Sequence, residues 1–410
     1  MAKFKILPVL AARGPFYWGL AAALIGIGVF LEEALSHQKL VLSAEYKIYR
    51  YYRQVSPLPV QATRTVVVLI DDVDYWKGDL ARRVPIKRKY LAGLLRKLAA
   101  GNPQVIALDF NLRSPVLDGT LPDNKDYESE TADLERAALE VAQKRIIVVL
   151  PTTVGRDSGG YYYRHPDVFD HLEQRNANIS VGYIMPTVDI RQVPLQLPMR
   201  GGQALDSFAS AIVRRVDDSS LRYLAGEAAF PLGTFMDQKS FKKVIPARRV
   251  ADLSDDQLSR LLATKTVLVG AAWHDTAYGA GKYVDLHETP AGEMPGVFIL
   301  ANYVEALLNW HFTKPLGATL SRTTEVVFSL AVAIGLASFR RVAAKALVLA
   351  GTCLAIAVLS YIFYQNFGRF LDVFFPVALI VVHALFENQR ELIRDAHRYR
   401  HEQSMKLHPL

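Results

Sequence analysis

The sequence predicts an α/β domain with a mixed, largely parallel sheet, held outside the cytoplasm and flanked by one N-terminal and three C-terminal transmembrane helices. Three observations predict it. Apolar runs of membrane-spanning length are confined to the two ends of the chain, and the stretch between them alternates β-branched runs with amphipathic ones. Basic residues gather on one side of the topology that results. With 410 residues, 51% hydrophobic and 21% charged, the chain is too apolar for disorder and has room for about two to four domains. Its one cysteine, Cys353, lies in an apolar run, so an intrachain disulfide and chemistry by a thiol pair are excluded.

The first element follows a basic segment, residues 1–15, that carries Lys3, Lys5 and Arg13. Phe16 to Leu31 holds no charge, and with Ala34 and Leu35 it reaches the roughly 20 residues that a helical span needs. It reads as an anchor or a signal peptide, and its length favours an anchor over residues 16–35. At the other end three apolar blocks predict spans over 316–339, 343–364 and 370–386, followed by a tail over 387–410. The first of these includes Arg322 and Glu325, three apart and able to snorkel. The last carries Pro376, which a membrane helix accommodates as a kink. Arg340, Arg341, Lys345, Arg390, Arg394, Arg398, Arg400 and Lys406 then fall on the same side as the N-terminal cations. By the positive-inside rule that side is the cytoplasm, so both termini are inside and residues 36–315 are outside. Topology thereby accounts for much of the net charge of +8. The lipid bilayer is the expected partner, and nucleic acid is not.

The outer segment alternates strand and helix. Thr65 to Ile70 is a continuous β-branched run, as expected of a strand covered on both faces. Lys87 to Ala100 places Tyr90, Leu91, Leu94, Leu95 and Leu98 on one helical face before Gly101-Asn102-Pro103 stops it. Val105 to Phe110 is a second strand, Thr131 to Lys144 a second amphipathic helix, and Ile146 to Leu150 a third strand ended by Pro151. This order implies parallel pairing through right-handed crossovers. Gly155 to Tyr163 and Pro186 to Pro198 read as loops or irregular hairpins. Helices are expected at Leu205 to Val216, Asp255 to Leu262 and Gly296 to Asn309, with a strand at Thr266 to Val269.

Several of these stretches carry a resemblance. VVVLIDD at Val66 to Asp72, YLAGLLRKLAAGNPQVIALDF ending at Phe110, KTVLVGAAWHDT at Lys265 to Thr276, and DLHETPAGEMPGVFILANYVEALLNWHFTKPL at Asp285 to Leu316 are similar to the type-two CHASE domains. These are extracytoplasmic sensory modules associated with bacterial cyclases and histidine kinases. The section from about Tyr161 to Phe230 does not share the likeness. The resemblance implies a multi-pass protein of the bacterial inner membrane whose helices lead to a cytoplasmic output domain. Glu387 to Leu410 is too short to bury a catalytic core, so the output is expected on a separate protein or on a longer form of this chain.

Candidate chemistry lies at strand ends. Asp71, Asp72 and Asp109 each end a strand, at the edge where open α/β sheets bind ligands. Asp275 and Asp285 follow a later strand, with His274 and His287 close by in sequence. Clustered carboxylates repel unless a proton or cation intervenes, so these seven residues predict a polar ligand pocket or a divalent-cation site; helix and loop capping is the alternative. Tyr161 to His165 could stack on an aromatic or sugar ligand or simply pack on the domain. No Walker or GxGxxG loop, nucleophile elbow or HExxH helix is present, so no catalytic residue is assigned and an enzyme is not expected. Past the last span, Leu385, Leu392 and Tyr399 recur every seven residues with Ile393 beside Leu392, a stripe suited to docking on a partner helix. Three functions follow: a sensor relaying to a cytoplasmic output protein, an assembly component binding another envelope protein, or a metal-dependent extracytoplasmic enzyme. A homo-oligomer is compatible with each.

Overall fold

The structure is a computed structural model that describes residues 15–35, 38–55, 61–80, 82–83, 86–113, 126–159, 162–165, 169–184, 189–233, 235–276, 281–312, 318–339, 342–367 and 374–407. Helices α1 (Pro15–Leu35) and α2 (Lys39–Val55) precede strand β1 (Thr65–Asp71). After a π turn at Val73–Lys77 come α3 (Arg88–Ala99), β2 (Val105–Asp109), α4 (Tyr127–Gln143), β3 (Ile147–Thr152) and β4 (Ile179–Tyr183). The chain continues through α5 (Phe208–Val216), β5 (Val244–Pro246), α6 (Ala247–Asp252), α7 (Asp255–Leu262), β6 (Thr266–Ala272) and α8 (Gly296–Leu308). Helices α9 (Ala318–Ser338), α10 (Val342–Phe367) and α11 (Phe374–Leu407) complete it. Two compact units result: Ser43–Lys314, and Met1–Leu42 with Pro315–Leu410.

The larger unit is built on a six-stranded sheet in the order β5-β1-β6-β2-β3-β4, every neighbouring pair parallel. Its strands have both faces covered, which is why they read as unbroken apolar runs. Val66, Val68, Ile70, Ile106 and Leu108 share a core with Leu91, Leu95 and Leu98 of α3 and with Leu134 and Val141 of α4. The opposite face packs against α5 and α8, and two glycines permit the close approach. A Cβ at Gly270 would lie 2.5 Å from Cβ of Val297, and one at Gly182 would lie 2.6 Å from Cα of Phe208.

Several expectations change in detail. The late strand β6 is inserted between β1 and β2: Val269 is opposite Val68 on one side and Leu108 on the other. Pro151 does not end the third strand but lies inside β3, opposite Gly182. Ile147 donates toward the β2 side, to Gln104 O, and Val148 toward the β4 side, to Asn178 O. By that alternation the nitrogen of Pro151 faces the β2 side, where pairing has already ended at Ala107 and Val149, so no ladder bond is lost. The helix expected from Leu205 starts at Phe208, because Ser207 Oγ accepts from Ser210 N at 3.1 Å and caps it there. Ala204–Asp206 pairs instead with Gln196–Pro198. Two other short hairpins, Val154–Arg156 with Tyr162–Arg164 and Leu286–Thr289 with Gly292–Pro295, flank the sheet. Pro186 and Tyr161 lie outside the described residues.

In the smaller unit Ala21 and Ile25 of α1, Val332, Ala333 and Leu336 of α9, and Val377, Ile380 and Ala384 of α11 form one core. Among the described residues, two helices contain stretches long and apolar enough to cross a membrane, Pro15–Glu32 and Ala343–Phe363. Helix α10 runs through Gln365 and Asn366 to Phe367. Helix α11 continues unbroken from its apolar half through Glu387 to Leu407, so no helix end separates the expected last span from the tail. Residues 370–373 lie outside the described residues.

Candidate functional site

The seven polar residues at the strand ends do not form one cluster. They divide into separate groups, each set by the element that follows its strand. At the end of β1, Asp71 Oδ1 accepts from Val73 N at 2.9 Å, and Oδ2 pairs with Arg248 of α6. Asp74, buried in the π turn, accepts from Asp71 N at 3.2 Å and from the Tyr90 hydroxyl at 3.3 Å. Burial pushes the Asp74 carboxyl above its ordinary range. Asp72 turns to the loop after β6: its carboxylate lies 2.7 Å from both the backbone N and Nδ1 of His274. The His274 ring in turn lies 4.0 Å from that of Tyr283. Asp275 Oδ1 accepts from Lys282 N at 3.0 Å and closes the same loop. These contacts are caps and loop clasps.

Asp109, Asp285 and His287 do come together. They line a cavity of about 50 Å3 whose remaining wall includes Phe208, Ile299, Leu300 and Tyr303. Asp109 ends β2 opposite Gly270, on the face covered by α5 and α8. Its carboxyl is pushed up to about 8, first by burial and then by the nearby charge of Asp285. Asp285 holds a left-handed backbone, φ 64°, and its carbonyl accepts from Gly296 N at 3.0 Å. The Asp285 carboxylate lies against Gly296 at the start of α8, where any side chain would collide with it. A negative group is favourable at that helix terminus. His287 Nε2 lies 2.8 Å from Asp285 Oδ1. One carboxyl is thus held beside a histidine and a helix start, and the other is poised to gain or lose a proton near neutral pH. The cavity can house a group a few atoms in size, with polar partners on one side and aliphatic and aromatic walls on the other. Among the described residues, no group of three or more histidine, cysteine or acidic side chains is placed to hold a metal ion.

The remaining candidates are elsewhere. Tyr162–Arg164 is a hairpin strand whose Tyr163 ring stands edge-on to His165, with centroids 5.0 Å apart. On α11 the side chains of Leu385 and Ile393 are exposed; those of Leu392 and Tyr399 lie outside the described residues.

The residue reading missed a contact set centred on Ile190. Tyr46 and Tyr49 of α2 are buried, and their hydroxyls accept from Ile190 N at 3.1 Å and from Phe235 N at 2.8 Å. From α8, the Tyr303 hydroxyl donates to Ile190 O at 2.9 Å and Asn302 Oδ1 accepts from Met236 N at 2.7 Å. Two helices therefore grip the same two backbone segments. Arg191 pairs with Glu45 and with Asp189, the latter at 2.9 Å. Below, Glu305 of α8 is fully buried and accepts from Arg64 N at 2.7 Å and Thr65 N at 2.6 Å, at the start of β1. The available signal was the spacing of Leu42, Tyr46 and Tyr49, which puts them on one face of the helix: a tyrosine that is buried needs a partner for its hydroxyl.

A family model described as the CHASE2 domain matches residues 21–338. The chain belongs to this family, whose members are sensory rather than catalytic domains. No curated protein and no solved structure matches the chain.

Proposed function

We propose that this CHASE2 protein is a membrane-anchored sensor of the bacterial inner membrane. Its outer domain takes a small polar ligand in the Asp109–Asp285–His287 cavity and relays the change through its helices to a separate cytoplasmic output protein. The observation that carries this reading is the double grip on Ile190. Tyr303 lines the cavity and binds Ile190 O, while Tyr46 binds Ile190 N. Tyr46 belongs to α2, which follows the first apolar helix by three residues, and Tyr303 to α8, which precedes the second apolar block. A ligand that shifts Tyr303 therefore acts on both segments that lead toward the membrane. Four spans with both termini inside agree with the distribution of Lys and Arg. The Ala343–Phe363 stretch is only 11% buried and offers an apolar surface suited to lipid. The stripe of Leu385, Leu392, Ile393 and Tyr399 on α11 is the surface offered to the output protein.

The test uses the full chain in nanodiscs and reads hydrogen exchange of α2 and of the α11 tail. Asp109→Asn alters the cavity charge and should change exchange in both segments. Adding Tyr303→Phe, which keeps the ring and removes the hydroxyl, should suppress that change. Exchange in α2 and α11 that is indifferent to Asp109→Asn would remove the relay and leave an assembly role.

A further inference from the structure

Helix α8 ends in a left-handed cap that is filled by the wrong residue for its backbone. His311 N donates to Ala306 O at 2.9 Å, the long-range bond of a helix cap whose turning residue, Trp310, has φ 57°. Glycine is the usual choice there, because a side chain in that conformation costs about 1–2 kcal/mol. The tryptophan nonetheless leaves 47% of its surface exposed. Its ring lies 5.5 Å from the half-buried Phe312 and 5.5 Å from Tyr223, which is 57% exposed. Phe312 rests on the buried Phe230 at 5.1 Å, so the exposed pair stands on a rigid base. Exposed Arg222, paired with Asp218 one turn earlier, lies beside Tyr223 in the chain.

We infer that Trp310 and Tyr223, backed by Phe312, form a docking surface for the lipid headgroup region. The partner follows from chain geometry. Five residues separate Phe312 from α9, a connection whose reach, at about 3.6 Å per residue, is roughly 20 Å at most. Tryptophan and tyrosine combine an apolar body with a polar tip and favour that zone of a bilayer, and arginine suits its phosphates. A side chain that is strained and exposed at this point has a use if the bilayer covers it. Docking would hold the end of α8 at a set depth, so that motion in the domain is passed on to the following helix. The inference rests on α9 being a span.

The experiment is power-saturation electron spin resonance on full-length protein in nanodiscs of phosphatidylethanolamine and phosphatidylglycerol, with Cys353→Ser. A single spin label is placed at Trp310→Cys, Tyr223→Cys, Val327→Cys in α9 or Tyr163→Cys in the hairpin, so each label leaves the other aromatic residues in place. At 310 and 223, collisions with a water-soluble nickel chelate should fall below those at 163, and collisions with oxygen should rise toward those at 327. If 327 is lipid-exposed while both 310 and 223 match 163, the docking surface is overturned and the span stands. If 327 is itself in water, the span fails and the inference with it. Dipolar broadening at 310 that vanishes on dilution with unlabelled protein would assign the cluster to a second copy of the chain and also overturn it.

Discussion

The Asp72 carboxylate and His274 are joined twice, through the backbone N and through Nδ1, each at 2.7 Å. This pair ties the end of β1 to the loop after β6. Trp76 adds a third tie by donating from Nε1 to His274 O at 3.2 Å, and the loop returns to set Tyr283 on the His274 ring. Asp72→Ala should cost about 1–3 kcal/mol, since it leaves two donors without their acceptor. Calorimetry of the full chain, with hydrogen exchange at residues 281–284, measures this. Loss confined to that loop is the expected pattern.

Asp109 predicts an unusual pH dependence. Its carboxyl is pushed up to about 8 in the folded protein and titrates near 3.9 when unfolded. Between those values the folded state binds the extra proton, so this residue's contribution to stability falls as pH rises from about 4 to 8. The loss is about 5 kcal/mol at most. Asp109→Asn should flatten that decline, which melting curves between pH 5 and 8.5 would reveal. A variant whose profile parallels the wild type would place the titration elsewhere.

Gly270 and Gly296 should be intolerant of a methyl group for different reasons. Gly270→Ala forces α8 off the sheet at Val297 and should cost about 1–3 kcal/mol by overpacking. Gly296→Ala displaces the Asp285 carboxylate instead, so it should also change the titration of Asp109. Chemical denaturation ranks the stabilities, and carbon NMR of labelled aspartate reads the carboxyl.

Glu305 gathers five donor contacts around the entry to β1, from Thr63 N, Arg64 N, Thr65 N, the Thr65 hydroxyl and Asn309 Nδ2. Glu305→Gln replaces an acceptor with a donor facing those amides and should cost about 1–3 kcal/mol. Exchange protection at residues 63–65 should drop first. Unchanged protection there would show that the backbone finds other acceptors.

The proposed topology is open to direct labelling. With Cys353→Ser, a membrane-impermeant maleimide added to intact cells should modify cysteine at Tyr163 and spare cysteine at Arg390. Modification at both positions would put an even number of spans between them and overturn the three-span arrangement, and modification at Arg390 alone would reverse the orientation.

Much of the fold was legible because it is written in local periods. The β-branched runs at Thr65 and Val105 announce strands covered on both faces, and the 3.6-residue spacing of Leu91, Leu94, Leu95 and Leu98 announces α3. Those patterns depend only on near neighbours in the chain. They do not say which strand lies beside which, and β6 takes its place between β1 and β2 through contacts made across about 200 residues. The edge strand β5 has three residues, too few to show a period, and β4, though as long as β2, is broken by Ser180 and Gly182 and does not read as an apolar run. The site divides on the same line. Asp71, Asp72 and Asp109 could be placed at strand ends from sequence, yet their fates differ. The π turn and α6 claim the first, and the His274 loop claims the second. Only the third opens on a cavity, because it ends a strand on the face where α5 and α8 cover the sheet. The grip of Tyr46 and Tyr303 on Ile190 joins three distant segments through hydroxyl groups. Hydropathy and spacing report how a residue meets its own helix or strand; which backbone group satisfies a buried hydroxyl is decided only when the elements pack.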